Sequence, residues 1–160
     1  MPDAIHVHLL IAHLPVMGVL FGILLLLWGF LRRSDEVKRA CLAFFVVSAL
    51  GAAVTFVSGE RAEERVERLP GVSERAIERH ESAAKLAALA TYALGTASLA
   101  GLVVLWKFPT RSAALTSVVL VMALVAGALL ARAANTGGAI RHPEIESVAD
   151  TLERTTVEDD

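Results

Sequence analysis

Four stretches of this chain hold no charged residue: 14–31, 40–59, 86–106 and 113–131, at 18, 20, 21 and 19 residues. A helix rises 1.5 Å per residue, so each stretch is long enough to cross about 30 Å of hydrocarbon. Soluble proteins interrupt their apolar residues with polar ones at helical or strand period, and these blocks do not. The pattern predicts an all-α polytopic membrane protein, a four-helix transmembrane bundle with an outer helical hairpin extension. Residues 1–145 are expected to form its single domain and 146–160 an acidic tail. The N-terminus has no basic region and no small-residue cleavage site follows the first block, so that block reads as a span rather than a cleaved signal.

Charge distribution sets the expected orientation. The tight loops 32–39 and 107–111 hold six Lys/Arg against two acids, while the other side shares nine basic residues and fifteen acids. The positive-inside rule places the tight loops in the cytoplasm. Both termini and all five histidines then face outward, from a bacterial inner membrane. The lipid bilayer is the expected partner, nucleic acid is not, and self-association to a homo-oligomer is open.

The first helix is expected to run from near His6 to Leu31. Pro15 inside it removes one backbone hydrogen bond and could free a carbonyl or kink the chain beside His13. Gly18 and Gly22 form a small pair that admits a close neighbour. The second helix carries Ser48, Ala52, Thr55 and Gly59 on one face, a stripe that reads first as helix packing. It continues past the membrane through Glu60-Arg61-Ala62-Glu63-Glu64-Arg65, where i,i+3 and i,i+4 pairs support a helix. Leu69-Pro70-Gly71 breaks it, and Ser73 is the expected N-cap of the third. In that helix Ala84, Ala87, Thr91 and Gly95 follow His80 on nearly the same face. The fourth span is expected to finish near Arg132, with Asn135-Thr136-Gly137-Gly138 opening a turn-rich segment that folds back over the bundle. Cys41, the only cysteine, excludes an internal disulfide and reads as a small apolar residue.

The candidate chemistry gathers at the outer mouth. His6 and His13 are seven apart and share a helix face, while His8 points elsewhere. Glu60, Glu63 and Glu64 extend from the second helix, His80 heads the third, and His142 with Glu144 follows the fourth. Imidazole ligates iron, copper, nickel and zinc, and carboxylates suit the harder of these. His13, buried in apolar sequence, and His80, above a groove of small residues, carry the functional reading. The bland alternative is that interfacial histidines are only hydrated and the Glu/Arg run is a solvated face. No His-Glu-x-x-His or Cys-x-x-Cys signature is present.

The segments His13-Leu14-Pro15, Thr55-Phe56-Val57-Ser58-Gly59-Glu60-Arg61-Ala62-Glu63, Leu69-Pro70-Gly71-Val72-Ser73, His80-Glu81 and Gly137-Gly138-Ala139-Ile140-Arg141-His142-Pro143-Glu144-Ile145 resemble a family of uncharacterised bacterial four-helix membrane proteins, the predicted membrane proteins of domain of unknown function 2231. The resemblance covers the chain to about Ile145. It implies a four-helix membrane fold and, because such domains sometimes accompany cytochrome c modules, redox chemistry. It transfers no ligand residue by residue.

Three readings follow. The preferred one is a redox protein that binds haem b near the outer face and transfers electrons, with a cytochrome c or another respiratory subunit as partner. Its axial ligands would be His13 and His80, and Arg61, Arg79 or Arg141 would pair with the propionates. His80 lies about six residues, roughly 9 Å, outside its apolar block, an offset that strains this pair. Relief would come from His8 or His6 taking the place of His13. The second reading is a non-haem iron, manganese or zinc site protein or enzyme, built from His13, His80, His142, Glu60, Glu64 and Glu144. The third is an accessory membrane subunit without a cofactor.

Overall fold

The computed structural model describes residues 4–66, 72–108 and 112–141. Five helices account for nearly all of them: α1 (Ala4–Ile11), α2 (His13–Leu31), α3 (Asp35–Val66), α4 (Glu74–Lys107) and α5 (Ser112–Arg141). α2 packs on α3, α3 on α4, α4 on α5, and α5 closes back on α2, a four-membered up-and-down ring. α1 prolongs α2 through Ala12, which keeps helical angles and bonds back to His8 O at 2.8 Å, and lies along α3.

Four helices are long and apolar enough to cross a membrane. Their side chains are distributed accordingly. Leu10, Leu14, Leu24, Val47, Leu50, Leu89, Leu99, Val118 and Val121 are exposed on the outside of the bundle. The interior is filled by Val19, Leu26, Leu42, Phe45, Leu94, Leu105 and Val119 among alanines and glycines. Gly18 admits the Ser48 side chain and Gly22 admits the Phe45 ring, which is the close approach expected of that pair. Three buried hydroxyls bond back to their own helices: Ser48 donates to Phe44 O at 2.9 Å, Thr91 to Ala87 O at 2.7 Å and Thr116 to Ser112 O at 2.6 Å, while the buried Ser98 Oγ has no partner among the described residues.

The two helical arms beyond the second and third apolar blocks are present. α3 runs on to Val66, and α4 starts at Glu74 beneath Ser73, whose hydroxyl accepts the Ala76 N–H at 3.4 Å. The turn expected at Leu69-Pro70-Gly71 lies outside the described residues, as does the acidic tail.

The fourth long helix does not stop near Arg132. α5 stays helical through Asn135, Gly137 and Gly138 to Arg141, so the fold-back expected from Asn135 onward is overturned up to that point. Two helical glycines cost about 1 kcal/mol each relative to alanine. Tertiary packing offsets that cost at Gly137, where a histidine from α4 takes up the missing side chain's space.

The two halves of the bundle repeat one register. Shifting α2 by 72 positions carries its buried Pro15, Val19, Gly22, Leu26 and Gly29 onto the buried Ala87, Thr91, Leu94, Ser98 and Gly101 of α4. Shifting α3 by 78 carries Lys38, Cys41, Phe45, Ser48 and Ala52 onto Thr116, Val119, Ala123, Ala126 and Leu130 of α5, all buried. Volumes are exchanged between halves: Gly22 and Phe45 in the first stand where Leu94 and Ala123 stand in the second. The α1–α2/α3 and α4/α5 hairpins are thus equivalent in register and in neighbours.

Candidate cofactor site

The same shifts pair two histidines. His80 follows His8 by 72 residues, and each stands six residues ahead of its apolar block. His8 Nδ1 donates to the Thr55 carbonyl at 3.1 Å and lies 3.3 Å from Ser58 Oγ, which itself donates to that carbonyl at 2.9 Å. His80 Nδ1 donates to the Ala133 carbonyl at 3.0 Å and lies 3.3 Å from Thr136 Oγ1, which donates to that carbonyl at 3.0 Å. Each clamp is one triangle of imidazole, carbonyl and the hydroxyl three residues on.

One residue further along comes a glycine in both halves. A Cβ on Gly59 would stand 3.0 Å from His8 Cε1 and 3.3 Å from Nδ1; on Gly137 it would stand 3.0 Å and 3.2 Å from the same atoms of His80. Both rings therefore rest their Nδ1–Cε1 edge on bare backbone. This closeness needs no special backbone angle, only the missing side chain.

The clamps settle which ring nitrogen is available. A carbonyl oxygen only accepts, so Nδ1 carries the hydrogen in each half. In a neutral imidazole Nε2 is then the lone-pair nitrogen, the form in which histidine binds a metal. The two rings are within electrostatic reach of each other.

Other candidates lie elsewhere. His13 is exposed and donates from Nδ1 to Leu9 O of its own chain segment at 3.1 Å. His6 is exposed too, consistent with the shared face of two residues seven apart. Glu60, Arg61 and Arg79 are exposed on the outer arms. Lys85 pairs with Glu81 at 2.6 Å and feels the charges of Glu60 and Glu63, so these carboxylates sit at the α3–α4 seam. Glu64 and Arg141 are helical, with their side chains outside the description, and His142 and Glu144 fall outside the described residues. Among the described residues no three of His, Cys, Asp and Glu converge to hold an ion.

The stripe Ser48, Ala52, Thr55, Gly59 divides in two. Its first half is helix packing, and its second half is one clamp. What the sequence reading missed is the hydroxyl–glycine dipeptide, Ser58-Gly59 and Thr136-Gly137, at the same end of both return helices. No protein-family model, curated protein or solved structure matches the chain.

Proposed function

We propose that this chain is a small integral membrane cytochrome of the b type, holding one haem between His8 and His80. The carrying observation is the duplicated clamp, which presents two imidazoles in the same tautomer from opposite hairpins. A haem iron takes four donors from its macrocycle, so two histidines complete it without a third protein ligand. Nδ1–H bonds to carbonyl oxygens orient axial imidazoles and raise their basicity. Arg61 and Arg79, close in sequence to the two clamps, are the candidate propionate partners. When bound, the haem would supply one-electron transfer. The protein's own part is to fix both rings and to keep bulk out of Gly59 and Gly137.

The motifs that carry the family resemblance supply Thr55, Ser58, Gly59, His80 and Gly137, five of the eight clamp residues, and His8, Ala133 and Thr136 lie outside them. Loop charge favours an inner membrane with both termini outside, where a cytochrome c or another respiratory subunit would exchange electrons.

Absorption spectra of the purified full chain, oxidised and then reduced, test this reading. Wild type and His13→Ala should show a low-spin haem b, and His8→Ala and His80→Ala should each lose it while still inserting. Haem unchanged in both of the latter variants, or stoichiometric iron, manganese or zinc without haem, would overturn it.

A further inference from the structure

The two half-sites differ in one respect. In α4 the helix runs unbroken past His80, and Ala87 has an amide to give the Ala83 carbonyl. The equivalent of Ala87 in the first half is Pro15, which has none. The Ile11 carbonyl is therefore left without its helical donor, although Ala12 keeps helical angles and its N–H still reaches His8 O at 2.8 Å. The Thr55 hydroxyl fills that vacancy, donating to Ile11 O at 3.2 Å. Its counterpart in the second half is Ala133, with no hydroxyl to give.

Thr55 thus holds α1 twice. Its side chain takes the Ile11 carbonyl, and its backbone carbonyl takes His8 Nδ1 at 3.1 Å, one turn earlier on the same arm. α1 is eight residues long and lies on α3 with little else beside it. Pro15 removes one hydrogen bond at the joint between α1 and α2, so the position of α1 leans on its ties to α3.

We propose that Thr55 is the positioning residue of the site: its hydroxyl latches α1 as a hinged arm, making His8 the exchangeable ligand and His80 the permanent one. The ligand-exchange half of this rests on the haem reading; the latch does not. Release of α1 would open the His8 side of the iron to a small neutral donor, for which carbon monoxide is the probe.

Four full-length variants test it. Thr55→Val removes the hydroxyl and keeps the carbonyl, and Thr55→Ser restores the hydroxyl. Pro15→Ala returns the amide, so that Ile11 O is satisfied within the helix, and the double variant combines it with Thr55→Val. Amide exchange in residues 4–12 should quicken about tenfold in Thr55→Val, as expected for one hydrogen bond. It should stay at the wild-type rate in Thr55→Ser and return most of the way in the double variant. Reduced Thr55→Val should bind carbon monoxide at least tenfold faster than wild type. Unchanged exchange in α1, or equal loss of protection at the start of α4, would overturn the latch. Quickened exchange in a protein with no haem would uphold the latch and sink the haem reading. Haem retained with unaltered exchange and unaltered carbon monoxide binding would do the reverse.

Discussion

The imidazole of His80 occupies the space a side chain at Gly137 would need, with Cε1 only 3.0 Å from where a Cβ would stand. His8 and Gly59 repeat the relationship at the same 3.0 Å. Contacts that tight oblige the neighbour to yield by a few tenths of an ångström, and here the neighbour is tethered through Nδ1.

Gly137→Ala therefore sets two effects against each other. Alanine favours the helix by about 1 kcal/mol, but it pushes on the His80 ring. We expect unchanged or raised thermal stability together with weakened haem binding, and complete loss of haem in Gly137→Val. A thermal melt in detergent measures the first, and titration of the apoprotein with haem the second. Full haem affinity in Gly137→Val would contradict the geometry.

Ser58→Ala and Thr136→Ala leave each carbonyl acceptor in place and remove only the hydroxyl that braces it. Both histidines should stay ligated. On the haem reading, each carbonyl would then serve Nδ1–H alone and the imidazoles would become slightly more basic, so the midpoint potential should fall, by roughly 20–60 mV where 59 mV is tenfold for one electron. Redox titration checks the sign. A high-spin spectrum would mean the hydroxyl is needed for ligation itself.

At the tight-loop end, Asp35 joins two hairpins. It accepts from Ser112 Oγ at 2.7 Å and from Lys38 Nζ at 3.1 Å, and Lys38 is only 6% exposed. Removing the carboxylate leaves a buried ammonium without its partner. Asp35→Ala should cost about 1–3 kcal/mol in unfolding experiments, with the haem spectrum unchanged because the clamps are at the other end.

Gly95 and Gly127 make opposite predictions for one chemistry. A Cβ on Gly95 would collide with the Cβ of Ala49, which only backbone movement relieves; on Gly127 it would meet Ile23 and Val19 at 3.5 and 3.7 Å, ordinary contact. Gly95→Ala should lose about 1–3 kcal/mol or fail to accumulate, as overpacking does. Gly127→Ala should be neutral or stabilising.

Orientation is tested by cysteines introduced at the exposed Glu36 and Glu74 in a Cys41→Ala background. They should react from opposite sides of sealed vesicles, Glu36→Cys from the cytoplasmic side. Reversed labelling would put the clamps on the cytoplasmic face.

Much of this was legible in one dimension. Four charge-free blocks imply four helices, because length and hydropathy are local properties of the chain. Ser73 as a cap and the carbonyl freed by Pro15 are local too, since both depend on the backbone within four residues. Even the separation of His8 from His6 and His13 follows from helical period.

Only tertiary structure decided which face turns inward. Periodicity says that His6 and His13 lie together, but not that their face is the exposed one, since in an all-apolar block hydropathy differs little between lipid and core. The continuation of α5 through Gly137 and Gly138 could not be read locally either. Glycine pairs look like a turn until a ring from another helix fills the gap. The partners of the clamps are 47 and 53 residues apart in the chain, Thr55 with His8 and Ala133 with His80. Those contacts come from ring closure of the bundle, a long-range packing event that no local pattern encodes.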